Sequence, residues 1–146
     1  MKYDITKIDR GTLVKFALVL VLVIVMYFVI RKVIKTIKGD AYLNDVNGEI
    51  KPAELSYPLN QYIALADQLY DAMAYLGTKN NRITATIQRC NNLSDVLQLV
   101  KAFGTRNYYP WWGAKTLPQW FSEELSPSEL AALNAILKQK SINYTF

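Results

Sequence analysis

Residues 13–38 read LVKFALVLVLVIVMYFVIRKVIKTIK, and the nature of this run decides how the rest of the chain is read. From Phe16 to Ile30 the one polar side chain is Tyr27, and Leu13 and Val14 carry the run past Lys15. A hydrocarbon core about 30 Å thick is crossed by roughly 20 helical residues. Leu13, Phe16, Leu20, Ile24, Tyr27 and Ile30 mark out a predicted span of nearly that length. Lys15 extends it, because a lysine can keep its methylene stem in lipid and its ammonium at the headgroups. Beyond the span, Val33, Ile34 and Ile37 share a helical face, with Arg31, Lys32, Lys35 and Lys38 around them. That amphipathic extension suits headgroup depth, and Gly39 is expected to end the helix. Tyr27 and Phe28 fall near the far end of the run, where interfacial aromatics are common.

An export signal would show a shorter apolar core followed by small residues at a cleavage site. Here RKVIKTIK follows instead. A helix with Val and Ile all round, buried in so small a domain, would leave most of its faces uncovered. The sequence therefore predicts a retained single-pass anchor at residues 13–38, preceded by a polar tail at 1–12. Orientation stays open. Lys2, Lys7, Arg10 and Lys15 precede the span, and Arg31, Lys32, Lys35 and Lys38 follow it. The second set is denser and free of acidic residues, a slight lean towards the cytoplasmic side.

The chain has 146 residues, enough for one compact domain and an appendage. Its net charge of +5 gathers largely around the apolar run, where it fits lipid headgroups at least as well as nucleic acid. There is no histidine, the commonest metal ligand and general base, and one cysteine, Cys90, cannot build a disulfide framework. No P-loop, dinucleotide fingerprint, zinc spacing or nucleophile elbow occurs. The expectation is a non-enzyme without metal or cofactor.

Residues 39–57 lack periodicity and read as a linker, with a turn at Asn47-Gly48. From 58 to 146 the pattern is helical. Tyr62, Ala66, Leu69, Tyr70 and Met73 form one stripe, bounded by Pro58 and Gly77. Ile83, Ile87 and Cys90 form a second, from Asn80 or Asn81. Val96, Leu97, Val100 and Phe103 form a third, with Ser94 as the expected N-cap and Gly104 as the stop. Thr116 can cap a short helix carrying Trp120 and Phe121. Ser126, Pro127 and Glu129 have capping-box spacing ahead of Leu130, Leu133, Ile136 and Leu137. The tail alternates Ile142, Tyr144 and Phe146, as an extended end would, and no β-hairpin is expected. The predicted fold class is all-α: one transmembrane helix, then a bundle of four or five short helices.

Tyr108, Tyr109, Trp111, Trp112, Trp120 and Phe121 form the densest aromatic cluster, beside Lys101, Arg106 and Lys115. Large side chains close the core of a bundle of short helices, and that reading weighs first. The others are docking on a neighbouring protein, on lipid or on bases. Tyr108, Tyr109, Trp111, Trp112 and Trp120 are the candidate partner-binding set. Asp67 and Asp71 share a helix face, and Glu123 and Glu124 are adjacent. A membrane-tethered lytic or cell-wall-processing factor using these four carboxylates is the alternative function, against which a solvated face is the plainer reading. Cys90, at a core-facing register, reads as an inert small hydrophobe. Asn92-Leu-Ser94 and Asn143-Tyr-Thr145 match glycosylation sequons, which matter only in a eukaryotic secretory setting.

LADQLYDAMAYLGTKNNRITATIQRC resembles an annexin-type repeat in order: a helix, a Leu-Gly-Thr turn and a helix with Ile near its start. Annexins use acidic residues at that turn for calcium. Here Lys79, Asn80 and Asn81 stand there, so calcium binding does not carry over. Residues 59–146, with Phe103-Gly104-x-Arg106 and a Leu-Ser-x-Ser-Glu helix before an aromatic end, resemble a small helical module of Bacteroidetes and their phages. With an anchor in front, the chain is similar to small membrane proteins of lipid-containing phages. The resemblance implies a virion component in an internal membrane or the host inner membrane, tied to capsid, vertex or other membrane-complex proteins. Homo-oligomerisation is left open, and no specific nucleic-acid partner is expected.

Overall fold

The computed structural model describes residues 10–75, 77–108 and 113–146. The chain divides into two compact units, Met1–Lys35 and Thr36–Phe146.

Helix α1 (Arg10–Glu49) runs through the first unit and into the second. Its stretch Gly11–Arg31 is long and apolar enough to cross a membrane, and none of it is buried inside the protein. Twenty-one residues at 1.5 Å each span about 30 Å, one hydrocarbon thickness. Its large apolar side chains between Leu13 and Ile30 run from 46 % exposed at Ile24 to 68 % at Phe16. At the end of the run the Tyr27 and Phe28 rings meet edge-on at 5.8 Å, and Arg31 Nη1 donates to Tyr27 Oη at 3.4 Å. The side chains of Lys32, Lys35 and Lys38 lie outside the described residues.

The second unit corrects the expected helix end. Gly39 does not stop α1, which runs on to Glu49, so residues 39–57 are not a featureless linker. Gly39 is buried, and a Cβ placed there would lie 3.2 Å from Thr105 Cγ2 and 3.7 Å from Thr116 Cγ2. The missing side chain serves a close approach rather than a stop. Farther on, Val46 is in the core, with Tyr42, Leu43 and Ile50 packed against it. A 3-10 turn (Pro52–Glu54) then leads to α2 (Leu59–Met73) and α3 (Asn80–Gln88). After them come α4 (Leu93–Phe103), a hairpin of β1 (Thr105–Asn107) and β2 (Ala114–Thr116), α5 (Leu117–Glu124) and α6 (Pro127–Gln139).

Helix α4 is the hub. Every residue from Ser94 to Val100 is buried, and the helix packs on α2, α5 and the 3-10 turn. Its N-cap is Asn92, two residues earlier than expected: Asn92 Oδ1 accepts the Asp95 N–H at 2.9 Å. Ser94 is thereby freed for another task, accepting the Lys51 N–H at 3.1 Å. The other stripes lie as expected. Tyr62, Ala66, Leu69 and Met73 of α2, Ile83 and Ile87 of α3, and Leu133 and Leu137 of α6 are buried. Helix α3 packs against both α2 and α6. Gly104 ends α4 with φ +61°, a left-handed backbone that suits glycine, and its N–H reaches Val100 O at 3.1 Å. The capping box at Ser126 is present: Glu129 Oε2 accepts the Ser126 N–H at 2.7 Å.

The tail after α6 is extended and forms no strand. It folds back so that the Phe146 N–H donates to Asn134 Oδ1 at 3.0 Å and the Phe146 ring meets Phe121 at 4.8 Å. Tyr144 and Tyr42 share a hydroxyl hydrogen bond of 2.7 Å, which joins the tail to α1. The unit is mainly helical, with one departure from the all-α expectation. β1 and β2 pair antiparallel, Thr105 opposite Thr116, Arg106 opposite Lys115 and Asn107 opposite Ala114. Three-residue polar strands carry no apolar alternation, which is why the hairpin is invisible to a periodicity argument.

Candidate functional site

Arg106 and Lys115 stand directly opposite one another in the hairpin. Like charges in that position repel, and the fold answers with a separate carboxylate for each. Arg106 Nη2 lies 2.7 Å from Asp67 Oδ1 of α2, and Lys115 Nζ lies 2.5 Å from Glu123 Oε1 of α5. Aromatic faces do the rest. The Arg106 guanidinium lies over the Tyr70 and Phe103 rings at 5.0 and 4.9 Å, and Lys115 Nζ lies 4.0 Å from the centre of Tyr108. Arg106 Nε also donates to Phe103 O at 3.2 Å. Lys115 is only 6 % exposed, so its charge is held where desolvation is costly unless it is paired.

Trp120 sits at the centre of this arrangement. Tyr70, Phe103 and Tyr108 meet its ring edge-on at 5.4, 6.2 and 4.7 Å, and its Nε1–H donates to Arg106 O at 3.3 Å. At 1 % exposure it offers nothing to a partner. The expectation that Trp120 belongs to the partner-binding set is corrected: its indole closes the core beneath the hairpin. Tyr108 is half-buried against it. Tyr109, Trp111 and Trp112, the remaining members of the set, lie outside the described residues. The Gly113 carbonyl accepts the Tyr108 N–H at 3.1 Å, one step beyond the paired strands.

The four carboxylates considered for catalysis go different ways. Asp67 holds Arg106 and Glu123 holds Lys115. Glu124 Oε2 accepts from Thr78 Oγ1 at 2.7 Å, and Asp71 is exposed. Cys90 is buried, and that burial pushes its thiol up to about 12, the Asp95 charge adding to the effect and Lys140 opposing it. Such a thiol holds its proton and is a poor nucleophile. Asn92 of the first sequon is engaged as a helix cap, and its Nδ2 donates to Glu54 O at 2.7 Å. Among the described residues no group of His, Cys, Asp and Glu could hold a metal.

Asp95 is the polar centre that the sequence reading missed. It is fully buried, and its carboxylate accepts from the Ser56 N–H (2.9 Å), Ser56 Oγ (2.7 Å), the Asn91 N–H (2.8 Å) and the Tyr62 hydroxyl. Burial alone would raise its pKa. The bonds from Ser56, Tyr62 and Asn91 outweigh burial and hold the carboxyl below the usual carboxylate range. The Tyr62 phenol is pushed the other way, by burial first and then by the neighbouring carboxylate. The signal was present: Asn92 and Asp95 stand three apart, the spacing of an N-cap and an N3 acid. Asp95 fastens the chain around Ser56 to the start of α4.

Comparison with known proteins finds no matching family, no matching curated protein and no matching solved structure.

Proposed function

We propose that this chain is a single-pass membrane protein with a structural or adaptor role, in which the helical unit holds a neighbouring protein through the aromatic residues that lie between β1 and β2 in the sequence. The observation that carries the reading is the stretch Gly11–Arg31: a full hydrocarbon thickness of apolar helix with no protein cover. In water so large an apolar surface would drive association, and a bilayer relieves it. The second support is the hairpin, whose charged and aromatic base is fixed by Asp67, Glu123 and Trp120. Between its two strands the sequence reads Tyr-Pro-Trp-Trp, residue types that dominate interface energetics. Tethering raises the effective concentration of the unit at the bilayer, so that modest contacts repeated over a surface become strong. An internal bilayer held to capsid or vertex proteins in a lipid-containing virion is the setting that the module's resemblance suggests.

The test uses the full chain in native membranes or particles, with a photo-crosslinking amino acid at Trp111 or Trp112. The chain is expected to resist alkaline carbonate, to dissolve in detergent and to crosslink to one discrete neighbour. Release by carbonate removes the anchor, and absence of any crosslink removes the hairpin as the contact.

A further inference from the structure

Arg82 of helix α3 and Arg89, its C-cap, stand seven residues apart and so on the same side, two turns from one another. Both line one cleft of about 300 Å³ between α2 and α3, completed by Gln68 of α2 and by Ala85 and Thr86 of α3. No carboxylate is among the residues lining it. The ion pairs found among the described residues use Lys51, Arg106 and Lys115, and neither Arg82 nor Arg89. The Arg89 guanidinium lies over the Tyr57 ring at 5.7 Å, and the Tyr57 hydroxyl donates to Arg89 O at 3.1 Å. Thr86 Oγ1 donates its hydrogen to Arg82 O at 2.9 Å. The lining residues that carry side-chain N–H donors are Arg82, Arg89 and Gln68.

We infer that this cleft binds a phosphomonoester. Two arginines lining one cleft with no carboxylate among its lining residues match a ligand with close to two negative charges and several acceptor oxygens, as a phosphomonoester has near neutral pH. A lone carboxylate carries one charge and would leave one fork unanswered. Ala85 has no side chain long enough to fill the space between the arginines, and the cavity volume reaches the lower end of the range of small-ligand sites. The phosphate could be esterified to a lipid, as in phosphatidic acid, or be soluble.

Full-length chain in a neutral detergent is the material for the test, with the thermal midpoint followed by far-ultraviolet circular dichroism. Inorganic phosphate is one probe, and phosphatidic acid doped into the micelle is the other. The wild type is compared with Arg82→Gln and with the Arg82→Gln/Arg89→Gln double variant. The single variant removes an exposed side chain that forms no ion pair among the described residues, so it tests the cleft even if loss of the Arg89–Tyr57 contact disturbs the double variant. Saturating ligand is expected to raise the wild-type midpoint by roughly 5 °C more than that of either variant. General salt stabilisation and lipid attraction to the basic anchor flank affect all three proteins and cancel in that difference. A gain with both probes identifies the phosphate group itself, a gain with phosphatidic acid alone makes the source lipid, and a gain with inorganic phosphate alone makes it soluble. Equal shifts in wild type and Arg82→Gln, or no shift with either probe, overturn the inference.

Discussion

Four hydrogen bonds converge on Asp95, and they make its carboxylate one source of the fold's response to pH. Its folded pKa lies below the unfolded value of about 3.9. The stabilisation it supplies is therefore full above that value and is lost as pH falls through the folded pKa. Asp95→Asn is expected to cost on the order of 3 kcal/mol at pH 7, because an amide cannot accept from all of these donors. The variant should also lose part of the fall in stability below pH 4, read from urea midpoints across pH on the full chain in detergent. An unchanged acid limb would show that the charge is not what matters. Gly39 poses a steric question instead. Gly39→Leu must displace Thr105 and is expected to cost about 1–3 kcal/mol. Gly39→Ala should be close to neutral in the same measurement, since exposed Thr105 can give way and alanine favours helix by about 1 kcal/mol.

Among the elements, α4 and the hairpin show opposite relations between pattern and placement. The apolar residues of α4 were legible from spacing, yet its start was not: Ser94 and Asn92 are both good caps, and only the demand of the Lys51 N–H for an acceptor separates their roles. Asn92→Ala is expected to destabilise by about 1–2 kcal/mol, with Ser94→Ala costing less, by denaturant titration. The hairpin had no pattern to read. Its strands are short and polar, and it exists because Arg106 and Lys115 find Asp67, Glu123 and three aromatic faces brought by α2, α4 and the hairpin itself. The core role of Trp120 comes from the same assembly. A tryptophan in an aromatic run looks like a surface anchor until the helices that cover it are in place.

At the scale of the molecule, the division at Lys35 and Thr36 separates an uncovered apolar helix from a unit with its own core. The aliphatic stripes of α2, α4 and α6, the buried Trp120 and the returning tail all lie within Thr36–Phe146. A chain beginning at residue 36 is expected to be soluble without detergent and to unfold in a single cooperative urea transition. Aggregation, or a broad non-cooperative melt, would show that the unit depends on the segment before it.

The amino-acid sequence by itself determined the apolar stretch, the helices α2 to α6, most of the inward stripes and the capping box at Ser126. These rest on local periodicity and on backbone groups that must be satisfied within a few residues. Tertiary structure alone decided that Gly39 is a contact point, that Asp95 is a buried hub, that Trp120 is core and that a hairpin exists. Each of those depends on partners distant along the chain, as Ser56 is from Asp95 or Thr105 from Gly39, and no local pattern encodes where a distant donor or methyl group will arrive.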